Sequence, residues 1–152
     1  SVLPIFQTQK NKNILTITHK DMTRFNITLD EGVKAIFYAI KNSLGGEIFV
    51  PKLPSYKVTD LAKAVSPNCK FKFIGIRSGE KIHEEMITTS DGLTTLDLGK
   101  MYIILPSSGK YNYTNYNKKK KYKKVKFGFS YSSKDNNHYL SIKDLKKIIS
   151  KY

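Results

Sequence analysis

Apolar and polar positions alternate along several short stretches of the chain. Asn13 to Thr18 reads Asn-Ile-Leu-Thr-Ile-Thr, the period-2 pattern of a strand, and Lys70 to Ile76 repeats it. Glu47 to Pro51 is a short apolar run closed by proline, which predicts a buried strand, and Met101 to Leu105 is another. Between them the period changes to that of a helix. Leu29, Val33, Ile36, Phe37 and Ile40 recur on one face, after Thr28 and Glu31 in capping-box spacing and before the glycines at 45 and 46. Leu61, Ala62, Ala64 and Val65 predict a second helix, capped by Ser55 or Thr59 and ended at Ser66-Pro67. Ile142, Leu145, Ile148 and Ile149 predict a last helix capped by Ser141.

The order strand, helix, strand, helix, strand argues for an α/β unit. Ser1 to Gln9 is an apolar segment entering a helix or loop, and His19 to Phe25 reads as a polar loop. After Arg77, a glycine turn leads into a helical stretch from Glu80 to Ile87. Gly109 to Lys126 is rich in Tyr, Asn and Lys and reads as a surface loop, and Phe127 to Tyr131 as extended chain.

A chain of 152 residues, 39% of them hydrophobic, is large enough for one domain with a core. No run of about 18 apolar residues predicts a membrane span. The opening Ser-Val-Leu-Pro is not a signal peptide, and the missing initiator Met is what a chain cut from something longer would show. The lone Cys69 forms neither an internal disulfide nor a cysteine zinc site, so a reducing cytoplasm is the expected setting. The net charge is +15, which raises the alternative of a basic module that binds nucleic acid or another polyanion. Against it, the charge is almost all lysine, as in an AT-rich coding bias, and readers of nucleic acid favour arginine for forked contacts.

The only arginines are Arg24 and Arg77. In Ile74-Gly75-Ile76-Arg77-Ser78-Gly79-Glu80, a strand delivers Arg77, a turn follows, and Glu80 comes three residues later. A guanidinium at a strand end can fork onto phosphate oxygens, and a carboxylate can accept both hydroxyls of a ribose. A surface ion pair between the two is the plainer alternative. Arg24 lies in Met22-Thr23-Arg24-Phe25, just before the first capped helix. His83 reads as a packing or surface residue. His19 and His138 lie in polar loops with no three-ligand metal pattern. The lysines at 118 to 121, 123, 124 and 126 read as a solvated loop.

These motifs, with Ile27-Thr28-Leu29-Asp30-Glu31-Gly32-Val33, Gly45 to Lys52, Thr59 to Ala64, Ile74 to Arg77 with Gly79-Glu80-Lys81, and Tyr131-Ser132-Ser133 before Asn136-Asn137, strongly resemble the inverting UDP-N-acetylglucosamine 4,6-dehydratases. Those enzymes are extended short-chain dehydrogenase/reductases of the polysaccharide-biosynthesis group. The resemblance covers most of residues 1 to about 105 and returns near 131 to 150.

The resemblance implies an α/β fold, the C-terminal substrate-binding part of such an enzyme, lacking most of the Rossmann domain. Residues 1–105 would be the nucleotide-sugar-binding region, 106–130 a basic Tyr/Lys-rich loop, and 131–152 a C-terminal segment with its helix. The complete enzyme would use NADP in surface-polysaccharide, pseudaminic acid or flagellin-sugar biosynthesis. This chain alone would bind no cofactor. It has no G-x-G-x-x-G loop, and Tyr38 to Lys41 misses the family's Tyr-x-x-x-Lys by one residue, so no catalytic residue is expected in it. What the resemblance carries over is binding. Arg24 and Arg77 would meet the diphosphate, Glu80 the ribose, Ser1 and Val2 the diphosphate through backbone, and the strand from Leu15 to Ile17 the uracil. The expected partners are a UDP-sugar and a Rossmann-domain half or a second copy of the chain. Two positions depart from the family: Ser78 stands where proline is usual, and Asn26 where tryptophan is usual.

Overall fold

The computed structural model describes residues 2–106 and 122–151. In chain order its elements are α1 (Val2–Gln9), β1 (Ile14–Ile17), β2 (Thr23–Phe25), α2 (Leu29–Asn42), β3 (Ile48–Pro51), β4 (Ser55–Lys57), α3 (Val58–Val65) and β5 (Lys70–Phe73). These are followed by β6 (Glu85–Ile87), α4 (Thr89–Gly92), β7 (Thr95–Asp97), β8 (Met101–Ile104), β9 (Lys123–Lys124), β10 (Tyr131–Ser132) and α5 (Ile142–Ile149). The chain divides into two compact units, one of residues 1–26, 54–84 and 133–152, the other of 27–53 and 85–132.

The first unit is built on β1 and β5, paired in parallel with Ile14 opposite Lys70 and Ile17 opposite Phe73. A parallel pair needs a crossover, and here the intervening chain includes α3. Leu15 and Ile17, at alternate positions of β1, are fully buried. They join Phe6 of α1, Met22, Leu61, Ala62 and Ala64 of α3, and Leu145 of α5 in one apolar cluster. The side of α5 that carries Leu145 is therefore the face the helical period predicts. The Ser141 hydroxyl accepts the Asp144 N–H, and Asp144 accepts the Ser141 N–H in return. A second ribbon pairs β2 and β4 antiparallel, with Arg24 opposite Tyr56 and Phe25 opposite Ser55.

The second unit holds an antiparallel sheet in the order β3, β8, β7, β9, and a separate pair of β6 with β10. Leu96, Ile103 and Leu105 form its small core cluster. Tyr131 is buried, and its hydroxyl accepts the Leu53 N–H and donates to the Leu53 carbonyl. α2 starts at the predicted capping box, Thr28 with Glu31. It ends at Asn42, short of the glycines at 45 and 46, which take positive φ in the turn that leads to β3.

Several expectations change. Ser1 and most of the Tyr/Lys-rich stretch, residues 107–121, lie outside the described residues. Val2 begins a helix. His19 to Phe25 is not all loop, because Thr23–Phe25 finds a partner in β4. β3 is an edge strand with only Val50 buried. Neither Ser55 nor Thr59 caps α3. Ser55 is buried in β4, Thr59 lies inside the helix, and the start at Lys57 has no side-chain cap. The Val58 N–H instead donates to the Met22 carbonyl. Glu80 to Ile87 forms no helix: the chain turns, bends and enters β6.

Candidate functional site

Arg77 follows β5 on exposed chain, and the four residues Arg77-Ser78-Gly79-Glu80 close a turn. The Glu80 N–H donates to the Arg77 carbonyl at 3.1 Å, and the Arg77 N–H donates to the Glu80 carboxylate at 3.0 Å. Gly79 has φ +81°, the left-handed conformation that a type II turn needs at its third residue. Proline is favoured at the second residue of such a turn, which is where Ser78 stands. The turn therefore brings an arginine and a carboxylate into one loop. Among the described residues the Arg77 guanidinium makes no hydrogen bond or ion pair, so its fork is available to a ligand.

Arg24, from β2, reaches the continuation of that loop. Nη1 donates to the Thr23 carbonyl at 2.7 Å and to the Ile82 carbonyl at 3.0 Å, and Nη2 donates to the Lys81 carbonyl at 2.9 Å. Nε lies 3.3 Å from the Glu84 carboxylate. Across the ribbon from Arg24, burial pushes the Tyr56 hydroxyl to a higher pKa, with the Arg24 charge opposing the shift.

On the other face of β2, Thr23 is buried and ties the same loop to the segment before α5. Its Oγ1 is 2.8 Å from Nδ1 of His83 and 2.7 Å from Oγ of Ser133. The Glu84 N–H donates to Ser133 Oγ at 2.9 Å, and the Ser133 N–H donates to the Glu84 carbonyl at 2.8 Å. One arrangement uses every proton: Glu84 N–H to Ser133, Ser133 hydroxyl to Thr23, Thr23 hydroxyl to Nδ1 of a neutral His83. Burial lowers the His83 pKa. Lys134 and Arg24 push the same way, and Asp135 and Asp21 oppose it. Beside this network lies a cleft of about 500 Å³ lined by residues that include Lys20, Lys57, His83 and Tyr139.

The structure thus places Arg24, Arg77 and Glu80 in one unit, the two arginines serving one loop. The side chains of Leu15 and Ile17 belong to the core, so only their backbone could face a ligand, and the Ile17 carbonyl already accepts the Ile74 N–H. Val2 lies in the first turn of α1. Sequence reading did not find the joint of Thr23, His83 and Ser133. Thr23 and Ser133 fall inside the motifs quoted above and His83 lies two residues beyond one, but nothing local pairs residues 60 and 110 positions apart. Among the described residues no group of His, Cys, Asp and Glu could hold a metal ion, and no helix is long and apolar enough to cross a membrane.

The chain that folds this way belongs to the polysaccharide biosynthesis protein family, whose pattern matches residues 1–106. Two relatives make the likeness more particular. The chain is 45% identical to the UDP-N-acetylglucosamine 4,6-dehydratase (inverting) of Campylobacter jejuni subsp. jejuni serotype O:2, over 99% of this chain and 47% of that enzyme. It is 37% identical to the UDP-glucose 4-epimerase of Rickettsia akari, over 98% of this chain and 45% of that one. The X-ray structure of Pen from Bacillus thuringiensis superposes with a TM-score of 0.79 at 30% identity, over 99% of this chain and 45% of that one. The chain spans about half the length of each of these proteins.

Proposed function

We propose that this chain is the nucleotide-sugar-binding part of a 4,6-dehydratase acting on UDP-N-acetylglucosamine in the cytoplasm, in surface-polysaccharide or flagellin-sugar biosynthesis. What supports this most is the 45% identity to the inverting dehydratase, which runs over 99% of the chain. Arg77 forks onto the diphosphate and Glu80 accepts the ribose hydroxyls, on a loop whose main chain Arg24 holds at Lys81 and Ile82. The backbone of Val2 and of Leu15 to Ile17 borders the diphosphate and the uracil. Held this way, the uridine diphosphate fixes the sugar for chemistry carried out elsewhere in the complete enzyme.

NADP would supply hydride transfer to and from the sugar in that enzyme. The residues of this chain do not fit the dinucleotide. Its glycine-bearing segment after β5 runs through a turn into β6, not into a helix N-terminus that could face a pyrophosphate. No chemical step is assigned to these residues. The Rossmann half comes from the remainder of a longer chain or from a separate one.

Titration of the chain with UDP, followed by calorimetry, tests the reading. Arg77→Ala and Glu80→Ala are each expected to weaken binding by about tenfold or more, the worth of a hydrogen bond to a charged group. With UDP-N-acetylglucosamine and NADP the chain alone gives no product. Absence of UDP binding, or wild-type affinity in both variants, defeats the reading.

A further inference from the structure

The loop that carries Arg77 and Glu80 has few ties of its own. Its first anchor is the Ile74 N–H, which donates to the Ile17 carbonyl, and its last are the Ile82 carbonyl and the Glu84 backbone. Between Ile74 and Ile82 the other hydrogen bonds among the described residues are the local turn of Arg77 with Glu80 and one bond from outside, Arg24 to the Lys81 carbonyl. Arg24 also holds the Ile82 carbonyl and faces Glu84. Three of its five N–H groups are spent on main-chain carbonyls and Nε is beside a carboxylate, which leaves one N–H on Nη2. Its side chain is 19% exposed.

We propose that Arg24 is a positioning residue: it acts on the nucleotide through the 77–84 loop, by fixing where Arg77 and Glu80 stand, and not as a principal phosphate contact. The inference rests on the reading of Arg77 and Glu80 as the grip. The chemistry explains why an arginine stands here in a chain that, Arg77 apart, uses lysine. A planar fork reaches three carbonyls and a carboxylate at once. A lysine ammonium has three donors on one atom and cannot span them.

Uridine and UDP separate the two roles, because uridine meets Glu80 but offers no phosphate. In NMR titrations of the whole 152-residue chain, Arg24→Lys is expected to weaken uridine and UDP by the same factor, about tenfold. Arg77→Ala is expected to weaken UDP alone. Amide hydrogen exchange gives a readout that needs no ligand: in Arg24→Lys the Glu80 and Glu84 amides exchange faster, while amides of β8 keep their wild-type rates. Should Arg24→Lys fail to fold, Glu84→Gln leaves the three carbonyl bonds in place and removes only the ion pair. It is expected to weaken both ligands equally, by about threefold, in line with a partly exposed pair. Loss confined to UDP in Arg24→Lys, or unchanged loop exchange, overturns the proposal. If the wild type binds neither ligand, the grip reading falls, and the exchange rates alone decide whether Arg24 holds the loop.

Discussion

Two helices of this protein start with the same device and end in opposite situations. α2 in the second unit and α5 in the first each begin with a reciprocal capping box. Each presents apolar residues at helical spacing. In α5, Leu145 is 1% exposed and sits in the main cluster of its unit. In α2 no residue is buried: Leu29 is 82% exposed, Phe37 67% and Ile40 70%. Local signals are thus sufficient to start and phase a helix, and they do not determine whether its apolar face is covered. That depends on what packs against it, and most helical stability comes from such packing.

The contrast is broken most strongly by cutting into each face. Leu145→Ala removes a side chain from a filled cluster and is expected to destabilise the first unit by about 2–5 kcal/mol. Ile36→Ser, on the open face of α2, is expected to change stability by no more than about 0.5 kcal/mol while reducing self-association, because it shrinks an exposed apolar patch. Urea unfolding of the two variants reads the first effect, and light scattering against concentration reads the second. Equal destabilisation would mean the face of α2 is covered in solution.

Removing the caps sharpens the same contrast at a smaller scale. Ser141→Ala and Thr28→Ala each delete a hydroxyl that accepts a backbone N–H, from Asp144 and Glu31 respectively. Each is expected to cost about 1 kcal/mol of helix stability. For α5 the packed face should hold the helix, so global unfolding registers the loss while amide protection persists. For α2, with nothing buried, protection of the first-turn amides should fall directly. Amide exchange compared with urea midpoints distinguishes the two, and similar exchange in both variants would contradict the packing argument.

What the sequence made legible follows from range. The caps of α2 and α5, β1 and β8 each depend on signals within a few residues, and they were read correctly; β5 was read to Ile76 and ends at Phe73, so Arg77 follows the strand at a distance of four residues. The turn that joins Arg77 to Glu80, which depends on three residues and a glycine, was also read correctly. The three-residue strands β2 and β4 are too short to show a period, and they exist because they pair with each other. Residues Glu80 to Ile87 look helical by spacing. Backbone bonds at Ile82 and Glu84, to partners at Thr23 and Ser133, hold them extended instead. The engagement of Arg24 with Lys81, Ile82 and Glu84 crosses about sixty positions and leaves no local trace.

The turn itself offers the next prediction. Ser78 stands at the second position of a turn whose third residue, Gly79, has φ +81°, and among the described residues its N–H donates to nothing. Ser78→Pro therefore costs no hydrogen bond and removes freedom from the unfolded chain. It is expected to stabilise the first unit by about 0.4–1 kcal/mol. If the loop is a nucleotide grip, UDP binding should tighten as well. Thermal unfolding and a UDP titration of the variant measure both, and a destabilised variant would show that Ser78 does not have the φ of a type II turn.

The smallest effect is one of pH, and it too should divide the units. His83 has a folded pKa below its ordinary value of 6.5, chiefly through burial. Its neutral form is the one that accepts the Thr23 hydroxyl. The unfolded chain then binds the proton more readily than the folded one, so stability from this site is fully present above pH 6.5. It declines as the pH falls below that point toward the lower folded pKa. The carboxylates of Asp144 in the first unit and of Glu31 and Asp91 in the second have lowered pKa values through their cap bonds, so their contributions persist until more acid conditions. Just below pH 6.5 the amides of Thr23, Glu84 and Ser133 should therefore exchange faster, after correction for intrinsic rates, while those of β7 and β8 do not. His83→Gln should abolish this difference, since a glutamine side chain does not titrate. If the difference survived in that variant, the proton would have to be acting somewhere other than at the joint between Thr23 and Ser133.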